Sequence, residues 1–246
     1  MLRRLVILVL FLGAASPARA ASLQVVPVVV ELSAAEPRAT LVVKNLGDAP
    51  VRLELSPSAW NQTPDGEMRL APAPEVVVYP PLLQLAPQEE RKVRISVTAG
   101  FGPREQSYRL FIQELPPAEK PAEKTAIRFL TRVGVPIFLM PARPELRAEI
   151  TGTAVYAGRL AATLKNTGTT RISPGKAKIE GLDADGKSVF STSFDFWYVL
   201  AGGERVIKAA LPAEPCARVR AVVLEVPVGD AFVRARVATP GGACGP

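Results

Sequence analysis

The chain has 246 residues, 30 Lys+Arg against 23 Asp+Glu, two Cys and no His. Without histidine, a Ser-His-Asp triad, a Cys-His pair and any His-ligated zinc or iron site are excluded, and two Cys alone cannot build a four-ligand zinc site. With 24 Pro, 18 Gly and 48% apolar residues, the chain suits short strands and frequent turns around a packed core, and its net charge of +7 does not demand nucleic acid.

Residues 1–20 have the layout of a secretory signal peptide. Arg3 and Arg4 form a positive start, Leu5 to Leu12 is an unbroken apolar run, and Ala18-Arg19-Ala20 supplies an A-x-A cleavage site. The run is too short for a transmembrane helix, and no later segment is apolar enough to span a bilayer. Cleavage removes Arg3, Arg4 and Arg19 and no acidic residue, so the mature chain from Ala21 is only mildly basic. Export to an oxidising compartment favours a disulfide between Cys216 and Cys244 over a reactive thiol pair.

From Ala21 onward the pattern is β. Short apolar runs are bounded by turn signals at intervals of roughly 8–12 residues, the mark of a sandwich or barrel. A first strand is read at Val25–Glu31 and a second at Thr40–Asn45. Val51-Arg-Leu-Glu-Leu55 alternates with period two, as a half-buried strand does. Thr63-Pro-Asp-Gly66 is a turn, with Pro presetting φ and Gly accepting positive φ. Pro80-Pro81 is a place for a cis bond in a tight turn. Further strands are read at Arg91–Val97 and Ser107–Leu115. Pro116–Lys124 is charged, proline-rich and loop-like, and a long strand candidate follows at Ala126–Met140. Pro141-Ala-Arg-Pro144 reads as a linker. Asp183-Ala-Asp-Gly-Lys187 opens like a calcium loop but lacks the downstream Glu, so it reads as a hairpin turn. Trp60 and Trp197 read as core or cleft-wall residues.

A weak internal repeat divides the chain. Leu41-Val-Val-Lys-Asn-Leu-Gly47 resembles Ala162-Thr-Leu-Lys-Asn-Thr-Gly168, and Leu85-Ala-Pro-Gln-Glu-Glu90 resembles Leu200-Ala-Gly-Gly-Glu-Arg205, in the same order. The expectation is an all-β chain of two related sandwich domains, 21–140 and 145–246, joined at 141–144.

The first of these resembles the periplasmic pilus-assembly chaperones of the chaperone–usher pathway. The residues carrying the resemblance are Val43–Pro50, Ala59-Trp-Asn-Gln62 with Asp65-Gly66, Pro80-Pro81, Leu85-Ala-Pro87, Val93-Arg94, Tyr108–Pro116 and Val135–Pro141. The second domain matches loosely through Phe196–Arg205. The resemblance implies two immunoglobulin-like domains in a boomerang arrangement and a non-enzymatic periplasmic chaperone. Its partners would be secreted pilus subunits and an outer-membrane usher, with no cofactor and no nucleic acid.

It also implies donor-strand complementation, in which the chaperone lends a strand to a subunit lacking one. The strand from Ile127 places Ile127, Phe129, Thr131, Val133 and Val135 on one face, with Arg128 and Arg132 on the other. On alternation alone these residues also suit the domain's own core. The family's best-known branch anchors the subunit's C-terminal carboxylate with an Arg on the first strand and a Lys on the last. Here Val29 and Pro136 stand at those positions, while the Arg132–Pro136 run resembles the alternative, archaic-type branch. A carboxylate still calls for a cation. Arg109 is the first candidate, followed by Arg132 and Arg94. The competing readings are a structural pilus subunit or adhesin and a carboxylate-pair glycosidase. The two apparently complete domains argue against the first, and the scattered acidic residues argue against the second.

Overall fold

The computed structural model describes residues 22–116, 129–173, 175–216 and 218–239. The expected signal peptide, the loop-like segment from Pro117, Ile127 and Cys244 lie outside these residues.

Among the described residues, ten strands form the first half: β1 (Leu23–Val26), β2 (Val30–Leu32), β3 (Arg38–Asn45), β4 (Val51–Gln62), β5 (Met68–Pro72), β6 (Val76–Tyr79), β7 (Leu82–Leu85), β8 (Glu90–Val97), β9 (Gln106–Glu114) and β10 (Arg132–Leu139). One sheet has the order β1-β3-β8-β6, the other β2-β10-β9-β4-β5, with β7 also paired to β4. Alternation sets the faces: Val51, Leu53 and Leu55 are buried while Arg52 and Glu54 are exposed. These side chains join Leu41, Val93, Ile112, Val135 and Ile137 in one core between the sheets. Each such aliphatic contributes about 1.5–3 kcal/mol by leaving water.

Two boundaries differ from the sequence reading. The apolar run Val25–Glu31 is two strands, one in each sheet. Pro27, which has no N–H for a ladder, sits where the chain crosses over. The long candidate Ala126–Met140 is a strand only from Arg132 to Leu139. The Val26–Pro27 and Tyr79–Pro80 bonds are cis.

The second half holds β11 (Ala148–Tyr156), β12 (Arg159–Asn166), β13 (Gly175–Leu182), β14 (Ser188–Phe196), β15 (Glu204–Ala210), a single helical turn α1 (Ala213–Cys216), β16 (Ala221–Val228) and β17 (Ala231–Ala238). Its sheets, β11-β12-β15 and β14-β13-β16-β17, close on a second core that includes the buried Cys216. Asp183 closes the β13–β14 hairpin by accepting the Asp185 and Lys187 N–H groups at 3.0 and 2.9 Å. Among the described residues no His, Cys, Asp or Glu group is arranged to hold a metal.

The weak repeat has a physical basis. Asn45 is buried; its amide donates to the carbonyls of Ala49, Leu85 and Ala86, and its oxygen accepts the Gly47 N–H. Asn166 is buried in the same way, donating to Thr170, Val199 and Leu200 and accepting from Gly168. In each half the asparagine of the first repeated motif therefore ties down the backbone at the second.

The halves meet through the β4–β5 hairpin. Val206 N–H donates to the Pro64 carbonyl at 2.8 Å, and Lys208 lies 3.6 Å from Asp65. Gly66, at φ +86°, lets this turn press onto the Arg205 guanidinium: a Cβ there would stand 0.8 Å from Arg205 Nη1.

Candidate functional site

The face of the β2-β10-β9-β4-β5 sheet turned away from its core faces the second half. Cross-strand register puts Arg109, Phe111, Gly134, Pro136 and Phe138 on this side, because Leu110, Ile112, Val135 and Ile137 take the core side. Trp60 and Phe138 pack there with Leu200 and Tyr198. Trp60 is 1% exposed. Trp197, from the second half, stacks on Trp60 at 5.3 Å between ring centres and is 44% exposed.

Arg109 lies against this pair. Its Cζ is 4.9 Å from the Trp60 ring centre and 5.0 Å from that of Trp197, so the three groups form a near-equilateral triangle. Its Nη1 reaches Met68 Sδ at 3.6 Å. It has no carboxylate partner among the described residues, and its Nε is buried without an acceptor. Burial pushes the guanidinium below its ordinary range, with Tyr198 acting in the opposite sense. Gly134 leaves the space beside it: a Cβ there would stand 3.1 Å from Arg109 Nε. Pro136 is the direct rung partner of Arg109.

The other candidates lie elsewhere. Arg132 is exposed on the same face, its Cζ 3.9 Å above the Phe111 ring. Arg94 is exposed on β8 of the opposite sheet, between Thr40 and Tyr79. Of the apolar series, Val135 is buried in the first core, Val133 packs against it, and Phe129 is 60% exposed. Thr131 is half-buried, its backbone tied to Glu114: the Glu114 N–H donates to its carbonyl at 2.8 Å, and its N–H donates to Glu114 Oε2 at 3.1 Å.

The sheet edge beside these residues is only partly covered. β10 pairs with β9 along Arg132–Leu139, but β2 covers only Ile137–Leu139 on the other side. Arg132–Pro136 therefore borders no strand on that side among the described residues. Pro136, lacking an N–H, fits such an edge.

Arg171 was not singled out by any sequence motif. It ion-pairs with Glu105 at 2.6 Å and with Glu31, and lies 3.7 Å over the Phe138 ring. Burial raises the Glu105 carboxyl above its ordinary value, and the charge and hydrogen bonds of Arg171 pull it back. These acids occupy Arg171, whereas Arg109 stands without one.

Residues 22–145 match the family of pili and flagellar-assembly chaperones, PapD N-terminal domain. The chain belongs to that family. It is a pilus-assembly chaperone rather than an enzyme, of a periplasmic class. No curated protein sequence matches it. Solved structures share its two immunoglobulin-like sandwiches. The CsuC–CsuE chaperone–tip adhesion subunit pre-assembly complex of archaic chaperone–usher Csu pili of Acinetobacter baumannii matches at 18% identity and TM-score 0.56, over 88% of this chain and 98% of that one. The Salmonella enterica SafA pilin in complex with the SafB chaperone matches at 18% identity and TM-score 0.57, over 88% and 97%. The E. coli chaperone DraB matches at 22% identity and TM-score 0.53, over 91% and 98%. In this chaperone, the partly open β10 edge and the unpaired Arg109 border the same outward sheet face.

Proposed function

We propose that this chaperone holds secreted pilus subunits by donor-strand complementation and delivers them to an outer-membrane usher. The observation that carries the reading is the edge of β10. Exposed strand edges are aggregation hazards that soluble proteins normally blunt. Here Arg132–Pro136 has strand geometry and one uncovered side, and the exposed Phe129 and Leu130 lead directly into it. A subunit strand laid on this edge gains main-chain hydrogen bonds, and apolar side chains N-terminal to β10 enter its groove. Val133 and Val135 serve the chaperone's own core. The lent face therefore consists of Ile127, Phe129 and Thr131, which continue the parity of Val133.

Arg109 is the proposed anchor for the subunit's C-terminal carboxylate. An arginine held against two indoles, with a free edge and no acid beside it, is preorganised for a carboxylate. Arg132 is exposed and Arg94 lies on the other sheet, so both rank below it. The supporting assignments are export through residues 1–20, domains at 21–140 and 145–246 joined by 141–144, a Cys216–Cys244 disulfide and membership of the archaic branch. The last rests on the Arg132–Pro136 run.

The test is a periplasmic pull-down of the tagged chain from its native cells, with mass spectrometry and stoichiometry. The expected result is a 1:1 complex with a small β-rich secreted subunit, depleted by Phe129→Asp and by Arg109→Ala. Recovery of the chain alone, in cells making pili, would sink the proposal. Polymerisation of the purified chain would instead favour a structural pilus subunit.

A further inference from the structure

Four buried nitrogen donors lie at the junction without an acceptor among the described residues: Arg205 Nη1 stands apart against the Gly66 turn, and the other three are Arg109 Nε, Trp60 Nε1 and Gln62 Nε2. Buried donors are nearly always satisfied, and each one left unpaired costs about 1–3 kcal/mol. The three belong to one sheet face. Trp60 and Gln62 are two residues apart on β4, so their side chains emerge on the same side roughly 7 Å apart. Arg109 lies beside Trp60 and one residue from Gln62: its Cζ is 4.9 Å from the Trp60 ring, and its Nη1 touches the sulfur of Met68, the direct cross-strand partner of Gln62. The amide of Gln62 has a fixed sense. Its Oε1 accepts the Leu200 N–H at 3.4 Å from the second domain, which leaves Nε2 with its hydrogens free.

We infer that Trp60 and Gln62 are further ligands of the carboxylate-terminated segment that Arg109 anchors, so that the site is a three-donor pocket oriented by the second domain. This rests on the anchor role proposed for Arg109. A terminal carboxylate and the carbonyl of the last peptide bond supply three acceptor oxygens, matching the three donors in number and sign. The second domain takes part twice. Leu200 sets the Gln62 amide, and the half-exposed Trp197 lies against both Trp60 and Arg109, where it must yield for a carboxylate to enter. Gln62→Glu keeps the shape and the oxygen facing Leu200, but replaces a donor with a negative charge that repels the ligand and pairs with Arg109.

Each proposed donor gives its own 15N–H resonance, so the test is a titration of the 15N-labelled exported chain followed by NMR. The probe is N-acetylglycinate, with N-acetylglycinamide as its uncharged control. The expected result is saturable movement of the Arg109 Nε–H, Trp60 indole N–H and Gln62 amide signals with the carboxylate alone. Gln62→Glu should weaken binding about tenfold while preserving the remaining spectrum. Movement at Arg109 with Trp60 and Gln62 silent, and unchanged affinity in Gln62→Glu, would overturn the inference and leave the anchor standing. Silence at Arg109 itself would remove the anchor, and the inference with it.

Discussion

Asn45 and Asn166 show how much a single side chain organises here. Each replaces a missing turn of backbone pairing by giving its amide hydrogens to three carbonyls. Asn166→Ala takes the buried donor from the Thr170 carbonyl and the second donor from Val199 and Leu200, which keep the Ile172 and Gly203 N–H groups, at a cost of about 1–3 kcal/mol. Denaturant unfolding should show this loss, and unchanged stability would refute the role. The two asparagines were legible as a repeat because the bonding pattern needs Asn at one motif and a fixed backbone at the other. Arg109 was legible as a cation on the strand beside β10, and nothing in the sequence reported its two indole contacts. Trp60 and Trp197 were legible only as large aromatics, since their meeting joins residues far apart in the chain.

At the scale of the element, β10 is the informative strand. Its alternation was visible in the sequence, and that alternation suits its own core and a subunit's groove equally. The structure divides it by position. The strand packs its core side inward, and Phe129 and Leu130, just N-terminal to it, stand in solvent. Phe129→Asp should therefore leave the melting temperature nearly unchanged, because surface substitutions stay within about 0.5 kcal/mol. The same variant should lower subunit capture at least tenfold, because a charge cannot enter an apolar groove without a partner. A fall in melting temperature with capture intact would place Phe129 in the fold and outside the binding face. The first apolar run misled because it continues unbroken through Pro27, while backbone pairing does not.

Across the whole molecule, the junction is held by parts that no local pattern announces. Arg171 joins Glu31 and Glu105 of the first domain, and Arg205 meets Gly66. Arg171→Ala leaves the Glu105 carboxylate buried and unpaired, which should destabilise the chain by about 3 kcal/mol. The raised Glu105 pKa has a definite sign. The folded chain holds this proton more tightly than the unfolded one, so the contribution to stability is largest in acid and falls as pH rises through the raised value. Glu105→Gln should remove that slope, read from denaturation midpoints across the acid-to-neutral range, and an unaltered slope would contradict the assignment. The plan of two sandwiches was legible from the internal repeat. The ion pairs that join the domains were not, because their residues are brought together only by the finished fold.

The most direct measurement is amide hydrogen exchange on the chaperone alone and in complex with its captured subunit. Strand donation predicts new protection at Phe129–Val135, along the side of β10 that β2 leaves uncovered, with little change on β6 or β17. Protection absent from β10 and gained on another edge would contradict the account, even if a complex forms.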